Sequence, residues 1–172
     1  NRITVSNIGD SRVLLCRNGK CVPLSEDHKP TNPGELQRIR AAGGTVTQCG
    51  PCARVDMGLN LSRALGDFAY KDPKMPAERQ KICPVPDIQI IDLEPHQDEF
   101  LIVACDGLFE LFQNDSLVEL VKSMIGKAPL QEVLETMLEK ACTPDPRATD
   151  GLGTDNETAV LVKFDWGATR SR

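Results

Sequence analysis

A little beyond its midpoint, the sequence reads Phe100-Leu101-Ile102-Val103-Ala104-Cys105-Asp106-Gly107. Apolar residues in an unbroken run predict a strand that is buried on both faces, and this run ends abruptly at an aspartate followed by a glycine. The strand would bring the Asp106 carboxylate to the rim of a core. A carboxylate in such a place needs a partner or a metal ion.

Two further aspartates stand at the edges of predicted strands. Asp155 precedes the apolar run from 158 to 164, and Asp10 lies in a turn between the first two strands. Each one alone has an ordinary alternative as a turn or capping residue. Together they favour a site for a hard cation, because Mg²⁺ and Mn²⁺ prefer oxygen ligands.

The bulk properties indicate an ordinary globular protein. The chain has 172 residues, the size of one domain, with 40% hydrophobic residues and a net charge of -5. Such a charge does not favour nucleic acid as a partner. The apolar runs are too short to span a bilayer and the first residues lack a signal-peptide pattern, so we expect no membrane partner and a cytoplasmic or nuclear location.

Hydrophobic periodicity and turn residues predict a β-rich chain with three helices. We expect an opening β-meander, a surface excursion over 68–82, a loop over 143–154 and a disordered tail after Phe164. The predicted strands are 2–8, 12–17, 20–24, 45–48, 53–55, 88–92, 100–105 and 158–164. The predicted helices are 34–42, 130–141 and one that is capped by Asn114-Asp115-Ser116 and runs to about 125.

Seven cysteines form an odd, scattered set, which is typical of reduced thiols inside a cell. Cys49-Gly50-Pro51-Cys52 spells the active-site tetrapeptide of thioredoxin. The segments on either side look like two strands, however, so a hairpin turn is the simpler interpretation. A thiol oxidoreductase and half of a zinc site are the alternatives. Nucleophile elbows of the form G-x-S-x-G and glycine-rich phosphate loops are absent from the sequence.

Several motifs can be read along the sequence, namely Asn7-Ile8-Gly9-Asp10-Ser11-Arg12, Asp27-His28-Lys29-Pro30, Ala42-Gly43-Gly44, Leu61-Ser62-Arg63-Ala64-Leu65-Gly66-Asp67, Val85-Pro86-Asp87-Ile88, Ala104-Cys105-Asp106-Gly107-Leu108-Phe109 and Thr154-Asp155-Asn156. They occur in the order found in the metal-dependent type 2C protein serine/threonine phosphatases, and the chain resembles that family from about Ile3 to Phe164.

The resemblance implies an α+β fold, namely part of a four-layer α-β-β-α sandwich of antiparallel sheets. Residues 1–164 would form a partial catalytic domain with a flap at 68–82, and 165–172 would form a tail. It also implies a binuclear Mn²⁺ or Mg²⁺ centre that makes a hydroxide from water and clamps the phosphoryl oxygens of phosphoprotein substrates, with no covalent phosphoenzyme.

The resemblance carries over to five positions. Asp106 and Asp155 resemble ligands of the second metal, and Asp10 resembles a ligand of a weaker third metal. Glu110 stands where the family commonly has another aspartate, and its longer side chain moves the oxygens. Arg54 resembles a flap-side residue that meets phosphosubstrate, with a structural surface arginine as the alternative.

The family's N-terminal segment has no counterpart here. That segment carries an Asp-Gly-His-Gly motif, a phosphate-gripping arginine and the ligands of the first metal, so the catalytic residues are unknown in this chain. We expect a C-terminal fragment of a phosphatase that is inactive alone. The alternative is a non-catalytic phosphatase-like module, a degenerate relative that binds a partner protein or itself through exposed sheet edges.

Overall fold

The computed structural model describes residues 1–167, which form eight strands and three α-helices. The strands are β1 Arg2–Asn7, β2 Arg12–Arg17, β3 Lys20–Pro23, β4 Val46–Cys49, β5 Cys52–Val55, β6 Asp87–Asp92, β7 Asp98–Ala104 and β8 Ala159–Lys163. The helices are α1 Pro33–Ala41, α2 Asn114–Met124 and α3 Leu130–Ala141, and short 3-10 helices span Phe68–Tyr70, Ala77–Arg79 and Asp106–Glu110. The mixture of helices and antiparallel sheets confirms the α+β class.

A four-stranded antiparallel sheet has the order β3-β2-β7-β8. Its β2–β3 hairpin turns at Asn18-Gly19, where both residues have positive φ, as a type I′ hairpin loop requires. Strand β7 alternates between buried and half-buried residues. The prediction that this strand is buried on both faces is therefore wrong, because only the side chains on one face are fully buried.

Helices α2 and α3 cover the face of the sheet on which the β7 side chains are fully buried. Side chains from the sheet and the two helices form one apolar cluster, which contains Leu14, Cys16, Phe100, Ile102, Ala104, Leu108, Leu117, Val118, Val121, Val133, Met137, Ala141 and Leu161. The helical stripes arise because residues three and four positions apart share one face of a helix. The predicted capping of α2 is wrong, since Gln113 occupies the cap and the side chain of Asn114 instead accepts a hydrogen bond from Arg12.

The opposite face of the sheet meets β1 and β6, which pair with each other. Val5, Leu15 and Leu24 are buried there, and Ile3 and Ile91 pack against them. The predicted opening meander is therefore wrong in its first step, because β1 joins β6 rather than β2. The four-layer sandwich stays a prediction.

Contacts divide the chain into two compact units. Unit 1 comprises 1–5, 11–25 and 89–167 of the described chain, and unit 2 comprises 6–10 and 26–88. Unit 2 holds α1, the β4–β5 hairpin, the 68–82 excursion and a small core of Ile39, Val55 and Ile82. Helix α1 is followed by Gly43 at φ +76°, which confirms the predicted left-handed cap.

The chain beyond β8 is only partly described. The indole Nε1 of Trp166 donates a hydrogen bond to the Asp98 carbonyl (2.6 Å), so the prediction of a disordered tail is wrong for this residue. The prediction for 168–172 lies outside the described residues. Within residues 1–167, no helix is both long and apolar enough to cross a membrane.

Candidate functional site

Strands β7 and β8 bring Asp106 and Asp155 to the same edge of the sheet. The strands are antiparallel with Ala104 opposite Ala159, so the end of β7 lies beside the start of β8. One step beyond the last pair, the Cys105 N–H donates to the Thr158 carbonyl at 3.1 Å. The predicted neighbourhood of the two aspartates is therefore observed, while their role as metal ligands stays a prediction.

Gly107 allows the two segments to approach closely. A Cβ atom on Gly107 would lie 2.5 Å from the Asn156 carbonyl oxygen and 3.5 Å from the Asp155 Cβ. Real Cβ atoms do not approach backbone oxygens so closely, and glycine is the residue that permits such contacts. The glycine after Asp106 thus has a specific function, which is to admit the loop that carries Asp155.

Glu110 fixes that loop from the other side. This residue ends the 3-10 helix that starts at Asp106, and its Oε2 accepts the Gly153 N–H at 2.6 Å. A charged acceptor makes this a strong hydrogen bond. In the structure, Glu110 therefore positions the loop two residues before Asp155, and its predicted role as a ligand is untested.

Glu157 is a polar feature of this edge that the sequence reasoning missed. Its Oε1 is buried without a hydrogen-bond partner among residues 1–167. Burial raises the pKa of Glu157, and the nearby Glu110 carboxylate raises it further. The available signal was an acidic residue directly before an apolar strand, the same signal that drew attention to Asp155.

The donor chemistry of this edge suits a hard cation, because carboxylate oxygens are the ligands that Mg²⁺ and Mn²⁺ prefer. Asp155 is exposed, and its Oδ1 accepts the N–H of Asn156 at 2.7 Å. Across the described chain, however, no group of three or more His, Cys, Asp or Glu side chains is arranged to hold a metal. The carboxylates are therefore of the chemical type that binds such a cation, but fewer than three of them are grouped among the described residues.

Asp10 lies in unit 2, in the turn that follows β1. Asp10 is 8% exposed as a residue, and its carboxylate pairs with Lys29, with 2.5 Å between Oδ2 and Nζ. The preceding Gly9 has φ +102°, a conformation that favours glycine. A cation at Asp10 would therefore compete with the Lys29 ammonium, and the predicted ligand role of Asp10 is untested.

His28 holds this turn in place, a role that the sequence reasoning missed. The ring is 3% exposed, and its Nδ1 accepts the Gly9 N–H at 3.0 Å. The proton therefore sits on Nε2, which donates to Asp87 Oδ2 at 3.0 Å. The backbone N–H of His28 also donates to the Gly9 carbonyl at 3.0 Å. His28 therefore makes two hydrogen bonds to the residue that precedes Asp10.

A buried ion network lies next to His28 in unit 2. Glu35 is 6% exposed and binds Arg63 (2.8 Å), Arg38 (2.7 Å) and the Ser62 hydroxyl (2.5 Å). Burial would raise the pKa of Glu35, but these three donors outweigh it and hold the pKa below its ordinary value. Arg63 also reaches Asp87 at 2.6 Å, which joins the network to the His28 turn.

Arg54 lies on β5 opposite Thr47. Its Nη1 donates to the Gly58 carbonyl at 2.5 Å, across the turn that follows the strand. This bond favours the structural alternative for part of the guanidinium. The predicted contact with phosphosubstrate is untested.

Comparisons with known proteins define the class of this chain. The family model described as protein phosphatase 2C matches residues 1–149. A crystal structure of a phosphatase from a pathogenic strain of Toxoplasma gondii superimposes with a TM-score of 0.82 at 36% identity, over 95% of this chain and 48% of that one. The chain therefore has the fold of a protein phosphatase. It belongs to the protein phosphatase 2C family.

Curated relatives extend the match beyond Asp155. Protein phosphatase ppm-1.G of Caenorhabditis elegans is 42% identical over 167 residues, covering 96% of this chain and 33% of its own length. Probable protein phosphatase 2C 2 of Paramecium tetraurelia is 44% identical over 168 residues (94% and 54%), and protein phosphatase 1G of Homo sapiens is 39% identical over 171 residues (95% and 30%). The chain thus spans about a third to a half of the length of these relatives.

Proposed function

We propose that this chain is part of a metal-dependent phosphatase that hydrolyses phosphoserine and phosphothreonine in proteins, and that Asp106 and Asp155 bind a divalent cation, Mn²⁺ or Mg²⁺. The observation that carries the proposal is the close approach of Asp106-Gly107 to Asp155-Asn156 at one sheet edge. Membership of the phosphatase 2C family supports the reaction class.

The main role of the chain's own residues would be to hold the carboxylate ligands in position. Asp106 and Asp155 would present carboxylate oxygens from two adjacent segments, and Glu110 would hold the Asp155 loop through Gly153. A bound cation would supply Lewis-acid polarisation of the phosphoryl group and would lower the pKa of water. The family resemblance also implies a ligand role for Asp10 of unit 2, and its carboxylate would first have to separate from Lys29.

Cation binding tests the ligand assignment directly. Titration of the chain with Mn²⁺, followed by calorimetry or by the electron paramagnetic resonance of the free ion, should show one site that is weakened at least about tenfold by Asp106→Asn or Asp155→Asn. Asp150→Asn is the matched control, because Asp150 is an exposed aspartate of the same loop region. Equal affinity in all four proteins would refute the assignment.

Turnover tests a separate point. We propose that the 172-residue chain alone has little or no activity, because the described residues provide fewer than three grouped metal-ligand side chains. A manganese-dependent assay on a phosphoserine peptide should therefore give rates near the buffer background. Robust hydrolysis that is lost in Asp106→Asn would contradict the proposed inactivity while supporting the proposed reaction.

A non-catalytic binding module is the second candidate, and exposed apolar side chains favour it. Val160 and Val162 on β8 are 52% and 42% exposed, and Ile88 and Ile90 on β6 are 55% and 60% exposed. Strand β8 ends its sheet among the described strands, which leaves backbone groups open to pairing. A chain that binds no Mn²⁺ but self-associates, with association lost in Val162→Lys, would support this alternative.

A further inference from the structure

The β4–β5 hairpin places two cysteines directly opposite each other. Cys49 and Cys52 are register partners that flank the two-residue turn Gly50-Pro51. Gly50 has φ +62°, which the first turn position of a type II′ hairpin requires. The hairpin interpretation of this motif is therefore confirmed. Neither thiol lies at a helix N-terminus of the thioredoxin kind.

Register partners in an antiparallel ladder have the spacing that a disulfide needs. Their Cα atoms are about 4.5 or about 5.5 Å apart, depending on the type of pair. Disulfides accept Cα separations of about 4.4–6.8 Å. Both thiols are free and half-buried, so a small oxidant can reach them. The Sγ atom of Cys49 lies 3.8 Å from the thioether sulfur of Met57.

We propose that Cys49 and Cys52 form an oxidisable dithiol, which a disulfide oxidant of the glutathione class converts into a disulfide across the hairpin. One cysteine thiolate attacks a sulfur of glutathione disulfide, breaks its S–S bond and releases one glutathione thiolate. The second cysteine thiolate attacks the protein sulfur of this mixed disulfide, forms the Cys49–Cys52 bond and releases the second glutathione. The protein loses two electrons and two protons, and two glutathione molecules take them up.

A second pair of cysteines provides a comparison within the same chain. Cys16 and Cys21 are also register partners across a hairpin. Cys16 is 0% exposed, and burial, with a smaller contribution from Glu99, raises the pKa of its thiol to about 11. A thiol with that pKa reacts about tenfold more slowly than an ordinary one, once its lower thiolate fraction and higher nucleophilicity are combined. We therefore expect faster oxidation at the β4–β5 hairpin, where both thiols are half-buried, than at the pair whose Cys16 thiol is fully buried.

Closure of this disulfide would restrain the strand that carries Arg54. That residue lies two positions after Cys52, on the same face of β5, and binds Gly58 beyond the strand. A covalent bond at the turn prevents the hairpin from fraying at its tip, because it removes open conformations. The redox state of Cys49 and Cys52 would thus set the mobility of β5.

Intact-mass and peptide mapping of the full chain test the proposal. The chain, freed of metals by a chelator, is exposed to mixtures of glutathione and glutathione disulfide. We expect the peptide that contains Cys49 and Cys52 to lose the mass of two hydrogen atoms through a link between these residues, formed at least about tenfold faster than any Cys16–Cys21 link. Exposed Cys142 should stop at a glutathione adduct, which shows that the oxidant is active.

Single variants separate closure from ordinary thiol reactivity. In Cys49→Ser, Cys52 should accumulate a glutathione adduct, because the resolving thiol is gone, and Cys52→Ser should show the same at Cys49. Hydrogen exchange of β4 and β5 should slow on oxidation of the wild-type chain and stay unchanged in both variants. Stable glutathione adducts at both cysteines of the wild type, no reaction there while Cys142 reacts, or equally fast linkage of Cys16 and Cys21 would each overturn the proposal.

Discussion

Gly107 determines how closely the segments that carry Asp106 and Asp155 approach each other. In Gly107→Ala, the new methyl group would lie 2.5 Å from the Asn156 carbonyl oxygen, so the Asp155 loop has to move away. We expect a loss of about 1–3 kcal/mol in the free energy of unfolding, as for other overpacked sites. We also expect weaker Mn²⁺ binding. Urea unfolding and Mn²⁺ titration measure the two effects.

Gly34 provides the matched control for this substitution. A Cβ on Gly34, within α1, meets no atom within 4 Å. Gly34→Ala should therefore leave Mn²⁺ binding unchanged and stabilise the chain by up to about 1 kcal/mol, because alanine favours helix. Equal effects of the two substitutions would show that the close contact at Gly107 has no special role.

Glu35 makes the stability of unit 2 sensitive to acid. Its pKa is held below the ordinary value of 4.5 in the folded chain, so the folded state binds fewer protons than the unfolded state in that range. The contribution to stability is complete above about pH 4.5 and is lost as the pH falls through the folded pKa. Urea unfolding between neutral pH and pH 3 should show this decline.

Removal of the charge tests the assignment to Glu35. Glu35→Gln should lower the free energy of unfolding at neutral pH by about 3 kcal/mol, because Arg63 loses its buried partner. It should also flatten the decline in acid. Glu132→Gln, at an exposed acidic position of α3, should change stability by less than about 0.5 kcal/mol and keep the same pH dependence.

Among the elements, helix α3 packs against the sheet through a narrow stripe of buried apolar side chains. Met137 is fully buried in the cluster between α3 and the sheet, whereas Leu130 on the same helix is 37% exposed. Met137→Ala should lower the free energy of unfolding by about 2–5 kcal/mol through the cavity that it leaves. Leu130→Ala should lower it by less than about 1 kcal/mol. Urea unfolding of the two variants provides the comparison, and similar losses would contradict the assigned stripe.

Local patterns predicted most elements, because burial imprints a period of two on strands and a period of about 3.6 on helices. The partner of β1 could not be predicted in this way. Alternation marks Arg2–Asn7 as a strand but does not say which strand lies beside it, and the observed partner β6 starts at Asp87. The predicted capping of α2 was wrong for a similar reason. The side chain of Asn114 accepts a hydrogen bond from Arg12, which is distant in the sequence.

Across the whole molecule, the candidate site was predictable only where strands determine it. Asp106 and Asp155 follow from two apolar runs whose strands turned out to be neighbours. Glu157 and His28 were missed, because their significance depends on burial and on hydrogen bonds to residues remote in sequence. No local pattern distinguishes a buried loop histidine from an exposed one.

The two compact units have cores of very different size. Unit 2 has three buried apolar residues in its cluster, Ile39, Val55 and Ile82, and relies on the Glu35 network. The helix-covered sheet of unit 1 buries a much larger cluster. Free energies of local opening follow the buried contacts of each region. We therefore expect amides of α1 and β5 to exchange with solvent through an opening of lower free energy than those of β7.

Native-state hydrogen exchange in increasing urea measures these free energies. The amides of unit 2 should form a group that merges with global unfolding only at higher urea. Glu35→Gln should lower the opening free energy of that group by about 3 kcal/mol, since the network belongs to unit 2. Met137→Ala should instead lower the exchange free energy of β7. A single exchange free energy shared by all slow amides, shifted equally by both variants, would show that the chain opens only as a whole.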